Sequence, residues 1–108
     1  MHQDEIPPGT LYLLILKALA RGELHGYEIA TWIEQVSRDV LQVQEGSLYP
    51  ALQRMLIKGW VTAKWGVTAG NRRARYYRLT PLGRKQLEVE VSQFERIVQA
   101  ITRAIQTA

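Results

Sequence analysis

Apolar positions along this chain fall into blocks of different period, and each block marks an element. Leu11, Leu13, Leu14, Ile15, Leu16, Ala18 and Leu19 are apolar on nearly every side. Thr10 stands where a helix cap belongs, and Arg21-Gly22 ends the segment. A helix with an apolar circumference needs cover on more than one face, and in so small a protein a second subunit is a natural source of it. From Gly26 to Ser37, Ile29, Ile33 and Val36 share one stripe with Ala30 beside it, which predicts an amphipathic helix. Residues 38–45 are polar and mixed, and read as a turn. From Ser47 to Lys58, Leu48, Ala51, Leu52, Met55 and Leu56 follow helical spacing. Their opposite face carries Ser47, Tyr49, Pro50, Gln53, Arg54 and Lys58. Proline fits a first turn, so this helix is expected to start close to Gly46 or Ser47, and Gly59 ends it.

The period then shortens to two. Residues 60–66 and 75–79 are rich in strand formers, with the turn signal Thr68-Ala69-Gly70-Asn71 between them and Arg72-Arg73 after it. That predicts a β-hairpin with a basic tip. Thr80-Pro81 is a helix start, with threonine as cap and proline as first residue. Beyond it, Leu87, Val91, Phe94, Val98, Ile101 and Ile105 are spaced alternately four and three apart. This is a heptad seam, expected to meet another helix. At about 1.5 Å per residue, residues 81–105 make a rod of roughly 37 Å. Its far end has nothing of its own chain to bury against, so a homodimer is expected, with Leu11, Leu14 and Ile15 of the first helix lining the same interface.

Three helices, a hairpin and a long helix are the order of a winged helix-turn-helix with a C-terminal dimerisation helix. The expected fold is mainly α with a small β-hairpin. Residues 1–80 form the winged unit, with 1–9 as a flexible lead-in around the locally stiff Pro7-Pro8-Gly9. Residues 81–108 form the coiled-coil-like helix. In this fold the third helix enters the major groove of DNA and the wing lies along the backbone or minor groove.

Charge sharpens that expectation. The formal net charge is only +4, but residues 46–87 contain no Asp or Glu and nine Lys or Arg. A solvated surface intersperses both signs, so a one-sign block of this size calls for a polyanion. The block spans the third helix, the hairpin and the start of the rod. Other chemistry is poorly supplied. There is no cysteine and there are two distant histidines. Paired carboxylates in an apolar setting and a glycine-rich phosphate loop are also missing, which argues against an enzyme and predicts no metal and no cofactor. No apolar run approaches membrane-spanning length and the N-terminus is acidic, so the chain reads as soluble and cytoplasmic.

Four segments, His25-Gly26-Tyr27-Glu28, Gly46-Ser47-Leu48-Tyr49-Pro50-Ala51-Leu52, Lys58-Gly59-Trp60-Val61 and Arg75-Tyr76-Tyr77-Arg78-Leu79-Thr80-Pro81-Leu82-Gly83, resemble the PadR family of transcriptional regulators. The similarity is closest to its small members with one C-terminal helix, and it runs over nearly the whole chain. It implies a dimeric repressor of nearby genes. It also implies an aromatic or drug-like effector bound between subunits. Some such members stack flat ligands on a tryptophan at the centre of the rod. Here that position is Phe94, which still stacks but lacks an N–H donor.

The candidate DNA contacts are Ser47, Tyr49, Pro50, Gln53 and Arg54 on the third helix and Lys64, Arg72, Arg73 and Arg75 on the hairpin. Hydroxyls and guanidiniums there suit phosphate and base edges of a palindromic operator in double-stranded DNA. Of Arg75 and Arg78, one is open to a role covering the core. His25 reads as a cap or packing residue. Trp60, Trp65, Tyr76 and Tyr77 read mostly as hairpin packing. Trp32 is open between covering the core and bordering an effector pocket with Phe94. Two other classes stay open: a ligand-sensing module, and an adaptor that offers its basic face to an acidic protein.

Overall fold

The structure is a computed structural model that describes residues 4–6 and 9–108. Its principal extents are 57 × 35 × 22 Å, a small body with a rod projecting from it. The elements in chain order are β1 (Asp4–Glu5), α1 (Leu11–Leu19), β2 (Leu24–His25), α2 (Gly26–Val36), β3 (Leu41–Gln42), α3 (Glu45–Ile57), β4 (Val61–Val67), β5 (Arg73–Leu79) and α4 (Pro81–Gln106). The expected order of three helices, hairpin and long helix is therefore present, with three additional two-residue strands.

α1 is the centre of the core. Ile15, Leu16 and Leu19 are fully or almost fully buried, together with Ile29 and Ile33 of α2 and Leu48, Leu52 and Met55 of α3. The all-round apolarity of α1 is explained within one chain, because α2, α3, β5 and the root of α4 all pack around it. Ile15 has no exposed surface and so leaves the expected dimer interface. Leu11 and Leu14 stay half-buried against the core. Thr10 precedes α1 without a side-chain cap, and its carbonyl instead accepts from the Leu14 N–H.

α2 starts with a capping box. His25 accepts from the Glu28 N–H through Nδ1, and the Glu28 carboxylate accepts from the His25 N–H. Two of the four orphan donors at the start of the helix are thus satisfied reciprocally. Val36 is 56% exposed and does not extend the Ile29–Ile33 stripe, because α2 ends there.

The stretch read as a plain turn holds β3, which pairs in parallel with β1. Residues 4 and 5 of the expected lead-in are therefore part of the fold, whereas Pro7 and Pro8 lie outside the described residues. α3 begins at Glu45, ahead of the expected start, so Pro50 sits in its second turn. Proline cannot donate to the carbonyl four residues back, here that of Gly46. The first turn is closed instead by Ser47 and Leu48, whose N–H groups both donate to the Gln44 carbonyl.

β4 and β5 pair antiparallel from Val61↔Leu79 to Val67↔Arg73, and β2 adds a short third strand on the far side of β5. Directly opposed residues share a face. One face carries Val61, Leu79 and Tyr77 into the core and continues outward as Trp65, Arg75 and Arg73. The other carries Lys64, Tyr76, Gly66 and Arg78. Tyr76 lies across Gly66, where an added Cβ would come within 2.9 Å of its ring.

Thr80 caps α4 as expected. Its hydroxyl accepts from the Gly83 N–H at 3.0 Å and donates to the Gly59 carbonyl at 2.6 Å, tying the end of α3 to the start of α4. Leu87 packs on the core, whereas Val91, Phe94, Val98, Ile101 and Ile105 are exposed along the rod. Among the described residues no helix is long and apolar enough to cross a membrane.

Candidate nucleic-acid interface

The N-terminus of α2, the first half of α3 and the hairpin surround one concavity of about 810 Å³. Tyr49, Arg72, Arg73 and Arg75 of the expected contacts all line it, joined by Tyr27, Trp65 and Tyr76. Its one carboxylate is Glu28, already engaged in the capping box. Cations and phenols thus converge where a third helix and a wing approach each other. Hydroxyl and guanidinium donors on a concave basic surface are what a sugar–phosphate backbone requires.

Local packing explains how the phenol of Tyr49 reaches this place. Its ring passes over Gly26, where an added Cβ would lie 2.7 Å from the hydroxyl oxygen. Only glycine at the start of α2 lets α3 present Tyr49 in this direction. Tyr77 is buried below, and burial pushes its phenol above the ordinary tyrosine value. The positive charge of Arg75, two residues away on the same face, pulls it back down. Arg75 is exposed and borders the concavity above Tyr77.

The other expected contacts are placed apart. Ser47, Pro50 and Arg54 border a second concavity of about 470 Å³, with Tyr12 and Gln44. Arg54 is held there by α1: its Nε donates to the Tyr12 hydroxyl, and its guanidinium carbon lies 5.6 Å from the Tyr12 ring centre. Tyr12 was not anticipated. Its partner lies 42 residues away, a distance over which sequence spacing carries no signal. Gln53 is exposed. Lys64 stands apart from both groups. It occupies the opposite face of the hairpin from Arg73 and Arg75, and its ammonium lies 3.5 Å from Glu23. Such an exposed pair contributes little to stability, and Lys64 is not among the residues lining the concavity.

Within one chain the effector candidates lie apart. Trp32 borders a third concavity with Leu24, Tyr27 and Gln35, on the α1–α2 side of the body. Phe94 is 43% exposed on the rod and is not among the residues lining it. No cluster of three or more metal-binding side chains occurs among the described residues.

Residues 15–89 match the transcriptional regulator PadR-like family. A transcriptional regulator of Mycobacterium tuberculosis is 33% identical over 98 residues, 90% of this chain and 87% of that protein. A transcriptional regulator structure from Clostridium thermocellum superposes with a TM-score of 0.80 at 28% identity, covering 88% of this chain and 92% of that one. The PadR of Bacillus subtilis, solved in complex with operator DNA, shares the fold with a TM-score of 0.68 at 24% identity. It covers 76% of this chain, which spans 46% of that one. With the fold, the four sequence motifs and a family match over most of its length, the chain belongs to the PadR-like family of transcriptional regulators, proteins that regulate transcription rather than catalyse reactions.

Proposed function

We propose that the chain acts as a homodimeric repressor. Residues 81–108 join two copies, and the two units formed by residues 1–80 bind a palindromic operator in double-stranded DNA near the genes it controls. The observation that carries this reading is the concavity beside α3, where Tyr49, Arg72, Arg73 and Arg75 converge with one already engaged carboxylate. In a two-fold dimer the paired α3 helices read half-sites about 34 Å apart. Arg72 and Arg73 clamp phosphates from the wing, Tyr49 and Ser47 contact the backbone from α3, and Gln53 and Arg54 face base edges. An aromatic effector bound along the seam at Phe94 relieves repression. It does so by favouring a spacing of the α3 helices that DNA does not, because a ligand shifts only an equilibrium between states it binds unequally.

The test uses a duplex enriched from a random-sequence library by the unaltered protein. Arg72→Ala with Arg73→Ala is expected to lower affinity at least about tenfold, and to flatten the log–log salt dependence by roughly 1.8, from two lost phosphate contacts. Thermal stability and dimerisation stay unchanged, because both side chains are exposed at the hairpin tip. Unaltered affinity and slope in a titration from low to moderate salt overturn the wing's role.

A further inference from the structure

We infer that Trp65 is a positioning residue of the wing, whose indole holds the guanidiniums of Arg73 and Arg75 ready to meet phosphate. This rests on the operator-binding reading and adds a residue that reading leaves unused. Trp65 is 60% exposed, an unfavourable state for the largest apolar side chain unless the ring has a task there. The hairpin register explains its surroundings. Trp65 is directly opposite Arg75, and Arg73, opposite Val67, lies diagonally on the same face. Their guanidinium carbons stand 6.0 Å and 4.5 Å from the ring centre.

This arrangement solves two problems at once. Arginine side chains lose substantial rotamer freedom when they are fixed on a ligand, and a preordered pair loses less. Two neighbouring guanidiniums also repel each other, and the negative face of an indole offsets that repulsion. The contacts run along one face of the hairpin towards its tip: Arg75 to Trp65, then Trp65 to Arg73. Among the described residues, Arg73 and Arg75 are the guanidiniums over this ring, whereas Arg72 stands in the turn, with its N–H on the Thr68 hydroxyl.

The experiment is a double-mutant cycle in the full chain with the same enriched duplex. Trp65→Leu is expected to weaken binding roughly three- to tenfold, in line with the worth of one or two cation–π contacts. The salt slope stays as it was, because no charge is removed. Trp65→Phe retains most of the affinity. In the background Arg73→Ala with Arg75→Ala, Trp65→Leu causes no further loss. A full loss persisting in that background overturns the inference. The ring then either touches DNA itself or supports the whole tip, through which the remaining Arg72 would be felt. No loss from Trp65→Leu in the unaltered chain overturns it as well. If Arg73→Ala with Arg75→Ala leaves affinity intact, the operator reading of this face fails, and the positioning role fails with it.

Discussion

Gly83→Ala is expected to lower the thermal midpoint by on the order of 15 °C, although it puts the best helix former into a helix. In an open helix this exchange stabilises by about 1 kcal/mol. Here the sign reverses. A Cβ on Gly83 would lie 2.0 Å from the Trp60 carbonyl oxygen and 3.0 Å from its carbon. Neither atom is free to retreat, because the Trp60 carbonyl accepts from the Thr80 N–H at 3.1 Å. Thr80 in turn holds both the Gly59 carbonyl and the Gly83 N–H. Relief requires the first turn of α4 to lift off the α3–β4 junction. Forced overpacking costs about 1–3 kcal/mol and sometimes more, and a clash with backbone belongs at the upper end. For a domain of this size each kcal/mol is worth roughly 4–8 °C. Melting followed by circular dichroism decides it: an alanine variant as stable as the parent contradicts the described contact.

Val98→Glu with Ile101→Glu is expected to do the opposite, leaving the fold of one chain intact and abolishing function. Both side chains are already open to water in the single chain, at 41% and 53% exposure, so charging them removes little from the core. In a two-fold seam every contact made by one subunit is repeated by the other, so two substitutions place four carboxylates in one apolar contact. The expected product is a folded monomer by sedimentation. Its operator affinity falls by on the order of 100-fold or more, because the second half-site no longer benefits from being tethered to the first. A variant that still sediments as a dimer shows that the subunits meet elsewhere. A monomer that binds operator as tightly as the parent separates DNA reading from dimerisation.

The two variants act on features of unequal visibility in the sequence. The apolar stripe of α4 is legible because six apolar residues repeat over several turns of one helix. The Gly83 contact is not, since its partner is a main-chain oxygen on another element. The same division runs through the fold. α1, α2, α4 and the hairpin follow from period, caps and turn residues. The strands Asp4–Glu5, Leu24–His25 and Leu41–Gln42 are too short to have a period and exist only through long-range pairing. Ile15 was misplaced because a helix apolar on every side does not say which side faces its own core. The start of α3 came late because Gln44 and Glu45 carry no strong cap signal and Pro50 outweighed them. Lys64 is different, because the information was present. In a strand, positions 64 and 65 point to opposite faces, so Lys64 is not on the hairpin face that carries Trp65, Arg73 and Arg75. The acid-free block located the basic surface but not its division between the two sides of a hairpin.

The way α4 is anchored has a consequence for how the chain exchanges its amide hydrogens. The root of the rod is fixed by Thr80, Gly83 and Leu87, whereas every residue from Val91 onward is exposed. Amides near the root should then exchange only when the whole chain unfolds, while those beyond Val91 open by fraying in an isolated subunit. Association is what closes them. Their protection should rise with protein concentration while that of α1 does not, so the far half of the rod becomes a built-in gauge of how many chains have found a partner.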